Sequence, residues 1–255
     1  MSEGKPRTGI TRIEPGQIRI RGYDIVDLME KRSFADVVYL VLKGELPSAA
    51  ESKMMDAILT SSIDHGVTPP SSLAARTVIS GGNPLNAAVA GGILTIGDTH
   101  GGAIEQCARI LQEWAGKTGA PEKTAAALID DLSDRNRRMP GFGHRLHKID
   151  PRTVKLFEIA DRLNFTGRHQ ILARAIEACF VASGKALPIN VDGAIAAVIS
   201  DMGFDWRLGK GFFIISRTAG LIAHAFEELS REKPMRKLGI SDYEYDGPPP
   251  REVGG

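Results

Sequence analysis

The sequence predicts an almost entirely α-helical protein with one short β-hairpin near its N-terminus. Alternating isoleucines on both sides of the turn signal Glu14-Pro15-Gly16 predict this hairpin over residues 9–21. From residue 25 onwards, apolar residues recur at the three- and four-residue spacing of helices. Glycine accounts for 28 of the 255 residues, and its doublets between apolar segments indicate close helix contacts rather than disorder.

Helical periodicity divides the chain into successive stretches. The first covers residues 25–29, and the second begins at Phe34 and is closed by Gly44 and Pro47. Later helices are predicted at roughly 48–63, 70–80, 85–96, 102–117, 121–138, 152–164, 168–183, 191–203 and 207–230.

Two interruptions of the periodicity suggest how the domains divide. Residues 139–151 are rich in Gly, Pro and His, and residues 184–190 separate two further helices. We therefore expect a large helical domain built from residues 1–102 and 191–238, a smaller helical domain over 103–190, and an extended tail at 239–255.

Composition and charge narrow the class of protein. A hydrophobic content of 42% with 25% charged residues is typical of a soluble globular domain. The net charge of +1 gives no overall field that would attract nucleic acid or an acidic membrane surface. No apolar run reaches the length of a membrane span, and the first residues lack the apolar core of a secretory signal. The two cysteines, Cys107 and Cys179, are predicted to be buried thiols. We expect a cytoplasmic protein.

Three of the six histidines lie in polar or glycine-flanked junctions between helices: His65, His100 and His144. A lone histidine at a helix end is more often structural than catalytic, but three in similar junctions favour a shared site. Asp192 follows an apolar run and precedes Gly193 and an apolar helix. This aspartate is either an N-cap or a partly desolvated general base, and its position alone favours the cap.

The loop GFGHRLHKIDPR, residues 141–152, offers one imidazole among several cations. It does not fit a dinucleotide fingerprint, because Leu146 stands where the third glycine belongs and no strand precedes it. The sequence also lacks a Walker A motif and a cysteine- or histidine-rich metal motif. Guanidinium groups pair bidentately with carboxylates and phosphates, so the loop suits a carboxylate or phosphate ligand, with a solvated basic loop as the alternative.

This loop resembles the signature of the citrate synthase family, in which Gly-x-Gly-His is followed closely by Asp-Pro-Arg. Residues 15–47 resemble the family's hairpin and first helices, GDTHGGA (97–103) its acetyl-CoA histidine loop, NVDG (190–193) its catalytic aspartate, and residues 213–227 its arginine helix. The resemblance implies a multi-helical fold with a large helical domain, a smaller one and a short hairpin. Only the 17 residues 48–64 separate Pro47 from His65. This short interval resembles citryl-CoA lyase and the lyase module of ATP citrate lyase more than citrate synthases.

The resemblance also implies residue roles. His144 would act on the substrate hydroxyl, Asp192 would move the proton at the acetyl methyl carbon, and His100 would donate to the enolate oxygen. His65, Arg152 and Arg217 would bind the oxaloacetate portion and its carboxylates. Weaker candidates for contacts with CoA are Arg145, Gly141, Gly143 and Lys185.

The implied activity is retro-Claisen cleavage of citryl-CoA to acetyl-CoA and oxaloacetate. A CoA thioester is the substrate, and no metal or other cofactor is expected. Citrate or 2-methylcitrate synthase is the nearest alternative, and a non-catalytic CoA-binding family member is the next. His100 is a synthase-like feature, because the lyase module of ATP citrate lyase carries an aromatic residue there. The resemblance further implies a homodimer or larger assembly, with one of Arg231, Lys233 and Arg236 as a candidate for reaching a neighbouring subunit.

Overall fold

A small antiparallel sheet is the first element of the computed structural model, which describes residues 5–117, 119–143, 149–237, 240–242 and 244–252. Its strands are β1 (Thr11–Glu14), β2 (Gln17–Ile20) and β3 (Tyr23–Asp24), paired in that order. Gly16 adopts a φ of 74° in the turn between β1 and β2, a conformation that favours glycine. The predicted hairpin is confirmed, and β3 is an additional strand that the isoleucine pattern did not indicate.

Five helices follow the sheet. They are α1 (Ile25–Lys31), α2 (Phe34–Lys43), α3 (Ala49–Ser61), α4 (Pro70–Ser80) and α5 (Leu85–Leu94). Ser33 and Ser48 begin α2 and α3 with capping boxes, and Gly44 ends α2 in the left-handed conformation at a φ of 100°. A single helix, α3, fills the interval between Pro47 and His65.

Six further helices follow in the described part of the chain. They are α6 (Ala103–Trp114), α7 (Pro121–Asp134), α8 (Pro151–Arg162), α9 (Arg168–Ala182), α10 (Val191–Asp201) and α11 (Gly209–Arg231), with 3₁₀ turns at Trp206–Leu208 and Ile240–Asp242. The predicted helices are therefore confirmed, with ends that differ by a few residues. Local capping and turn residues set these ends, and apolar periodicity does not report them.

Helix α10 lies at the centre of the hydrophobic core. Every residue from Gly193 to Ser200 is buried, and α6, α8 and α9 pack around it. Alanines at 194, 196 and 197 allow these neighbours to approach closely. A helix that is apolar on all sides is stable only inside such a packed layer. The start of α10, which carries Asp192, is therefore held by the core.

Helices α4, α5 and α11 form a second packed group joined by a buried ion-pair network. Arg76 of α4 pairs with Glu228 of α11 at 2.8 Å, and Arg236 contacts the same carboxylate through Nε at 2.8 Å. Both Arg76 and Glu228 are buried, so removing one partner would leave an uncompensated charge. This network fixes the chain after α11 against α4.

The division into large and small helical domains stays a prediction, and one continuous apolar cluster runs from Ala35 in α2 to Phe213 in α11. Within the described part of the chain, no helix is both long and apolar enough to cross a membrane.

Candidate active site

A cavity of about 730 Å³ opens where several helices begin. It contains five of the six residues predicted to act in catalysis or to bind the oxaloacetate portion, on segments far apart in the chain. These residues are His65, His100, Arg152, Asp192 and Arg217. The rest of its lining comprises Ser62, Thr68, Pro69, Pro70, Thr99, Gly101, Gly143, Asn190, Val191 and Phe213.

Asp192 occupies the first turn of α10, but it is not the N-cap. Asn190 holds that position, and its Oδ1 accepts hydrogen bonds from the backbone N–H groups of Asp192 (3.0 Å) and Gly193 (3.2 Å). The capping interpretation of Asp192 is therefore wrong, and its carboxylate is left to face the cavity. Burial raises the pKa of Asp192 to about 6, although Arg152 and Arg217 act in the opposite direction.

The segment that leads into His144 is fixed against the start of α10. Gly143 N–H donates to the Pro188 carbonyl (2.7 Å), Asn190 Nδ2 donates to the Gly143 carbonyl (2.8 Å), and Asn190 N–H donates to the Gly141 carbonyl (3.0 Å). Gly141 packs so closely on Gly193 that a Cβ on either residue would overlap the other's backbone. His144 and Arg145 lie outside the described residues, but Gly143 brings the chain to the cavity immediately before them.

His100 is half-buried in the loop before α6 and is held on two sides. Its Nε2 lies 2.8 Å from Oγ of Ser71, a fully buried residue of α4, and its ring meets Phe213 edge-on at 5.6 Å. Gly101 has a φ of +78°, and a Cβ there would come within 2.6 Å of the Phe213 ring. Burial lowers the pKa of His100, with a further contribution from Arg217, so the imidazole is neutral near pH 7.

Arg217 of α11 is 3% exposed and carries an unsatisfied donor. Its Nε donates to the Ser62 carbonyl (3.0 Å) and its guanidinium stacks on Phe213 at 4.6 Å, while Nη1 has no partner among the described residues. A buried guanidinium with a free N–H favours an anionic ligand.

The loop that carries His65 is fixed against α11. His224 Nε2 lies 2.9 Å from Asp64 Oδ1, and Gly220 leaves room for the Ile63 carbonyl, which a Cβ at that position would overlap. His65 itself is exposed at the edge of the cavity. The α11 scaffold therefore positions both Arg217 and His65.

Arg152 is the second residue of α8, directly after Pro151. Its Nε and Nη2 donate to the two oxygens of Asp150 at 3.0 and 2.9 Å. The other edge of the guanidinium is left for a ligand in the cavity.

A second cavity of about 650 Å³ meets the first at Gly143, which lines both. Its cations among the described residues are Arg137, Arg138 and Lys185, and its apolar wall includes Phe142 and Phe180. Gly141 lines neither cavity, because it packs behind them on Gly193.

Four helices begin at the first cavity. The N-terminal turns of α4, α8 and α10 contribute lining residues, and Gly101 lies just before α6. Unpaired N–H groups and the helix dipole give each such end a partial positive charge. Together with Arg152 and Arg217, they make this an anion-attracting cavity. Among the described residues, no cluster of His, Cys, Asp and Glu is suited to holding a metal ion.

Sequence reasoning missed several residues around these cavities. The hydrogen bonds through which Ser71, Asp150 and Asn190 act on other site residues were not predicted, although Asp150 and Asn190 stand in the Asp-Pro-Arg and NVDG motifs. Arg137 and Arg138 could have been found from the basic run just before the loop at 139–151.

Comparisons with known proteins agree with this architecture. The family model "Citrate synthase, C-terminal domain" matches residues 5–53 and 49–238. The structure of citryl-CoA lyase from Hydrogenobacter thermophilus superimposes with a TM-score of 0.92, at 49% identity over 98% of both chains. Citrate synthase from Thermoplasma acidophilum has a TM-score of 0.65 at 17% identity, covering all of this chain and 97% of that one, and shows the shared fold.

Curated relatives include citrate synthase 2 of Bacillus subtilis, 31% identical over 235 residues, which are 90% of this chain and 60% of the relative. Similarity also extends to a probable ATP-citrate synthase of Dictyostelium discoideum, 28% identical over 85% of this chain and 37% of the relative. The chain thus spans 60% of the length of the Bacillus relative and 37% of the length of the Dictyostelium relative. From its fold, its motifs and the match to nearly its whole length, the chain belongs to the citrate synthase family.

Proposed function

We propose that this protein is a citryl-CoA lyase, which cleaves citryl-CoA to acetyl-CoA and oxaloacetate. The observation that carries the proposal is the position of Asp192. A carboxyl group whose pKa is close to neutral faces the same cavity as a neutral imidazole and two guanidiniums. Full-length similarity to a citryl-CoA lyase supports the lyase over the synthase. The single helix α3 between Pro47 and His65 also supports the lyase over the synthase.

Cleavage starts at the tertiary hydroxyl of the citryl group. In the proposed mechanism His144 takes the hydroxyl proton, the hydroxyl carbon becomes the carbonyl of oxaloacetate, and the carbon–carbon bond breaks. The electron pair moves onto the acetyl thioester as an enolate. Asp192 in its protonated form then transfers its proton to the enolate carbon and yields acetyl-CoA. Burial keeps this carboxyl protonated at a higher pH than an ordinary aspartate, which suits a general acid.

The enolate oxygen needs a hydrogen-bond donor while the bond breaks. If Ser71 donates to Nε2 of His100, the neutral ring carries its proton on Nδ1 and can donate from there. Such a preorganised donor stabilises the enolate, and removing one typically costs about 3 kcal/mol in comparable sites. In this proposal, donation from Ser71 selects the tautomer of His100.

The cations of the cavity match the carboxylates of the citryl group. Arg217 offers its buried Nη1, and Arg152 offers the edge not occupied by Asp150. His65 at the cavity edge would contact the oxaloacetate portion. These roles account for an anionic, multiply carboxylated substrate in a site lined by helix N-termini.

The CoA portion would extend from the first cavity into the second across Gly143. Arg137, Arg138 and Lys185 are placed for its phosphates, and Phe142 and Phe180 for its apolar parts. Arg145 stays a candidate for the same contacts. Because the thioester itself stabilises the enolate, we propose no further cofactor.

We also propose that the protein forms a homodimer or larger assembly through an apolar face of α4, α5 and α11. Ile222, Phe226 and Leu229 are exposed at helical spacing on α11, and Leu94 of the adjacent α5 is 85% exposed. Large apolar side chains exposed together on neighbouring helices are typical of interaction sites. Arg231 and Arg236 pair with Glu227 and Glu228 of their own chain, which leaves Lys233 as the candidate for crossing to the partner. A cytoplasmic location stays a prediction.

The decisive experiment supplies purified protein with citryl-CoA and follows two products in parallel. Malate dehydrogenase with NADH reports oxaloacetate, and a thiol reagent reports free CoA. A lyase produces oxaloacetate without free thiol, since acetyl-CoA keeps its thioester. Free thiol together with citrate, and turnover of acetyl-CoA with oxaloacetate, would instead establish the synthase. That second candidate is favoured by His100 and by the 31% identity to a citrate synthase.

A further inference from the structure

One buried carboxylate, that of Asp150, accepts four N–H groups from the starts of two helices. Its Oδ1 accepts from the backbone N–H and the Nε of Arg152, both at 3.0 Å. Its Oδ2 accepts from Nη2 of Arg152 (2.9 Å) and from the backbone N–H of Val191 (3.1 Å). Asp150 is 1% exposed. The start of α8 is thereby tied to the start of α10.

These bonds determine which part of Arg152 a ligand can reach. Nε and Nη2 form the side-on edge of the guanidinium, and Asp150 occupies that edge completely. Nη1 and the second hydrogen of Nη2 form the end-on edge and remain for the cavity. Without Asp150, the long side chain of Arg152 would be free to sample other rotamers.

The same carboxylate acts on Asp192, the residue after Val191. Burial alone would raise the pKa of Asp150, but the hydrogen bonds and charge of Arg152 outweigh burial and hold it below its ordinary value. Asp150 is therefore ionised near neutral pH. Its negative charge offsets part of the positive charge of Arg152 and contributes to the raised pKa of Asp192.

We propose that Asp150 is a positioning residue that aims the end-on edge of Arg152 at a substrate carboxylate and holds the helix start that carries Asp192. This inference rests on the proposed function. It assigns to Asp150 a role in substrate binding and in proton transfer through two other residues, beyond its role as the N-cap of α8.

The test is Asp150→Asn, with Asp205→Asn as a matched control. The new amide can still cap α8 through its oxygen, but its NH₂ faces the N–H groups of Arg152 and Val191, which are also donors. Asp205 makes the same three bonds to Arg207 in an exposed 3₁₀ turn outside the cavity. Asp150→Ser, which retains a cap and cannot hold a guanidinium, serves if the asparagine variant folds poorly.

The expected result is an increase of about tenfold or more in KM for citryl-CoA and in Kd for oxaloacetate, because a charge-assisted contact is misplaced. We expect kcat to fall less. The limb of the pH profile of kcat/KM that belongs to Asp192 should move to lower pH. Among the described residues, Arg152, Arg217 and Asp150 act on the pKa of Asp192, the buried thiol of Cys107 is affected by its charge, and His65 and His100 line the same cavity. Asp205→Asn should match the wild type in all these measurements.

Unchanged KM, Kd and pH profile in both Asp150 variants would overturn the proposal. A loss of stability alone in those variants would overturn it as well, since Asp150 would then be a structural cap. If wild-type protein binds oxaloacetate but does not turn over citryl-CoA, the proposed function fails, and the Kd comparison alone decides the role of Asp150. If wild-type protein does not bind oxaloacetate, both proposals fail.

Discussion

Replacing Asp192 by asparagine is expected to slow turnover strongly and yet to stabilise the folded protein above pH 6. Burial raises the pKa of Asp192 from an ordinary value near 3.9 to about 6 in the folded state. Each pH unit between the two values corresponds to about 1.4 kcal/mol, so the ionised carboxylate lowers the free energy of unfolding by up to ~3 kcal/mol. Asparagine carries no such penalty, but it has no proton to transfer, so kcat should fall by about 10²- to 10⁴-fold.

The size of the effect depends on pH. Below about pH 4 the carboxyl is protonated in both states, and ionisation contributes nothing to the difference between variant and wild type. As pH rises, the unfolded state loses its proton first and wild-type stability falls, until the folded carboxyl ionises near pH 6. The advantage of Asp192→Asn should therefore grow from pH 4 to 6 and then stay constant.

Urea denaturation of both proteins between pH 4 and 8, at one protein concentration, measures this difference. Asp201→Asn is a matched control at the other end of α10. Burial opposes ionisation there too, but hydrogen bonds from His169 and Gln170 outweigh it and lower the pKa of Asp201. That variant should be less stable than wild type at neutral pH. A stability difference for Asp192→Asn that does not change with pH would refute the reasoning, because it would show that Asp192 carries no ionisation cost.

Three further substitutions test other parts of the site. His144→Ala should lower kcat far more than it weakens CoA binding, and a collapse of CoA affinity with kcat unchanged at saturation would make His144 a binding residue only. Ser71→Ala should lower kcat by about 10- to 100-fold with little change in KM, because His100 loses the hydrogen bond that sets its tautomer; equal kcat in variant and wild type would exclude that role. Gly193→Ala should destabilise the protein by about 2 kcal/mol or more in thermal unfolding, since its Cβ would overlap the Gly141 carbonyl; an unchanged Tm would mean that the loop can move away freely.

Much of the site could be predicted because its residues occur in local motifs. His100 and Asp192 stand beside glycines at helix starts, and Arg152 follows Asp-Pro, so sequence alone could mark them. The N-cap interpretation of Asp192 failed for an equally local reason. Asn190, two residues earlier, is as good a cap and takes the position, and sequence preference alone does not choose between them.

Other features depended on contacts between distant segments. Ser71 is 29 positions from His100, and the Val191 N–H that Asp150 accepts is 41 positions away. Serines at such positions are common caps and turn residues, so no local pattern distinguishes Ser71 from many others. The Asp-Pro-Arg motif includes Asp150, but it does not reveal that this side chain also binds the start of α10.

The sequence by itself determined the helical class, the approximate limits of the helices and the identity of five charged or titratable residues of the cavity. Apolar periodicity, caps and glycine-flanked motifs are properties of short segments, and they are readable without knowing what packs on them. Only the tertiary structure decided that these five residues, on segments as far apart as His65 and Arg217, line one cavity. It also decided that burial brings the pKa of Asp192 to about 6 and that Asp150 joins α8 to α10. Desolvation and hydrogen bonding between distant segments exist only once the helices have packed. These two effects set the pKa values and the positions of the residues that the sequence predicted for the site.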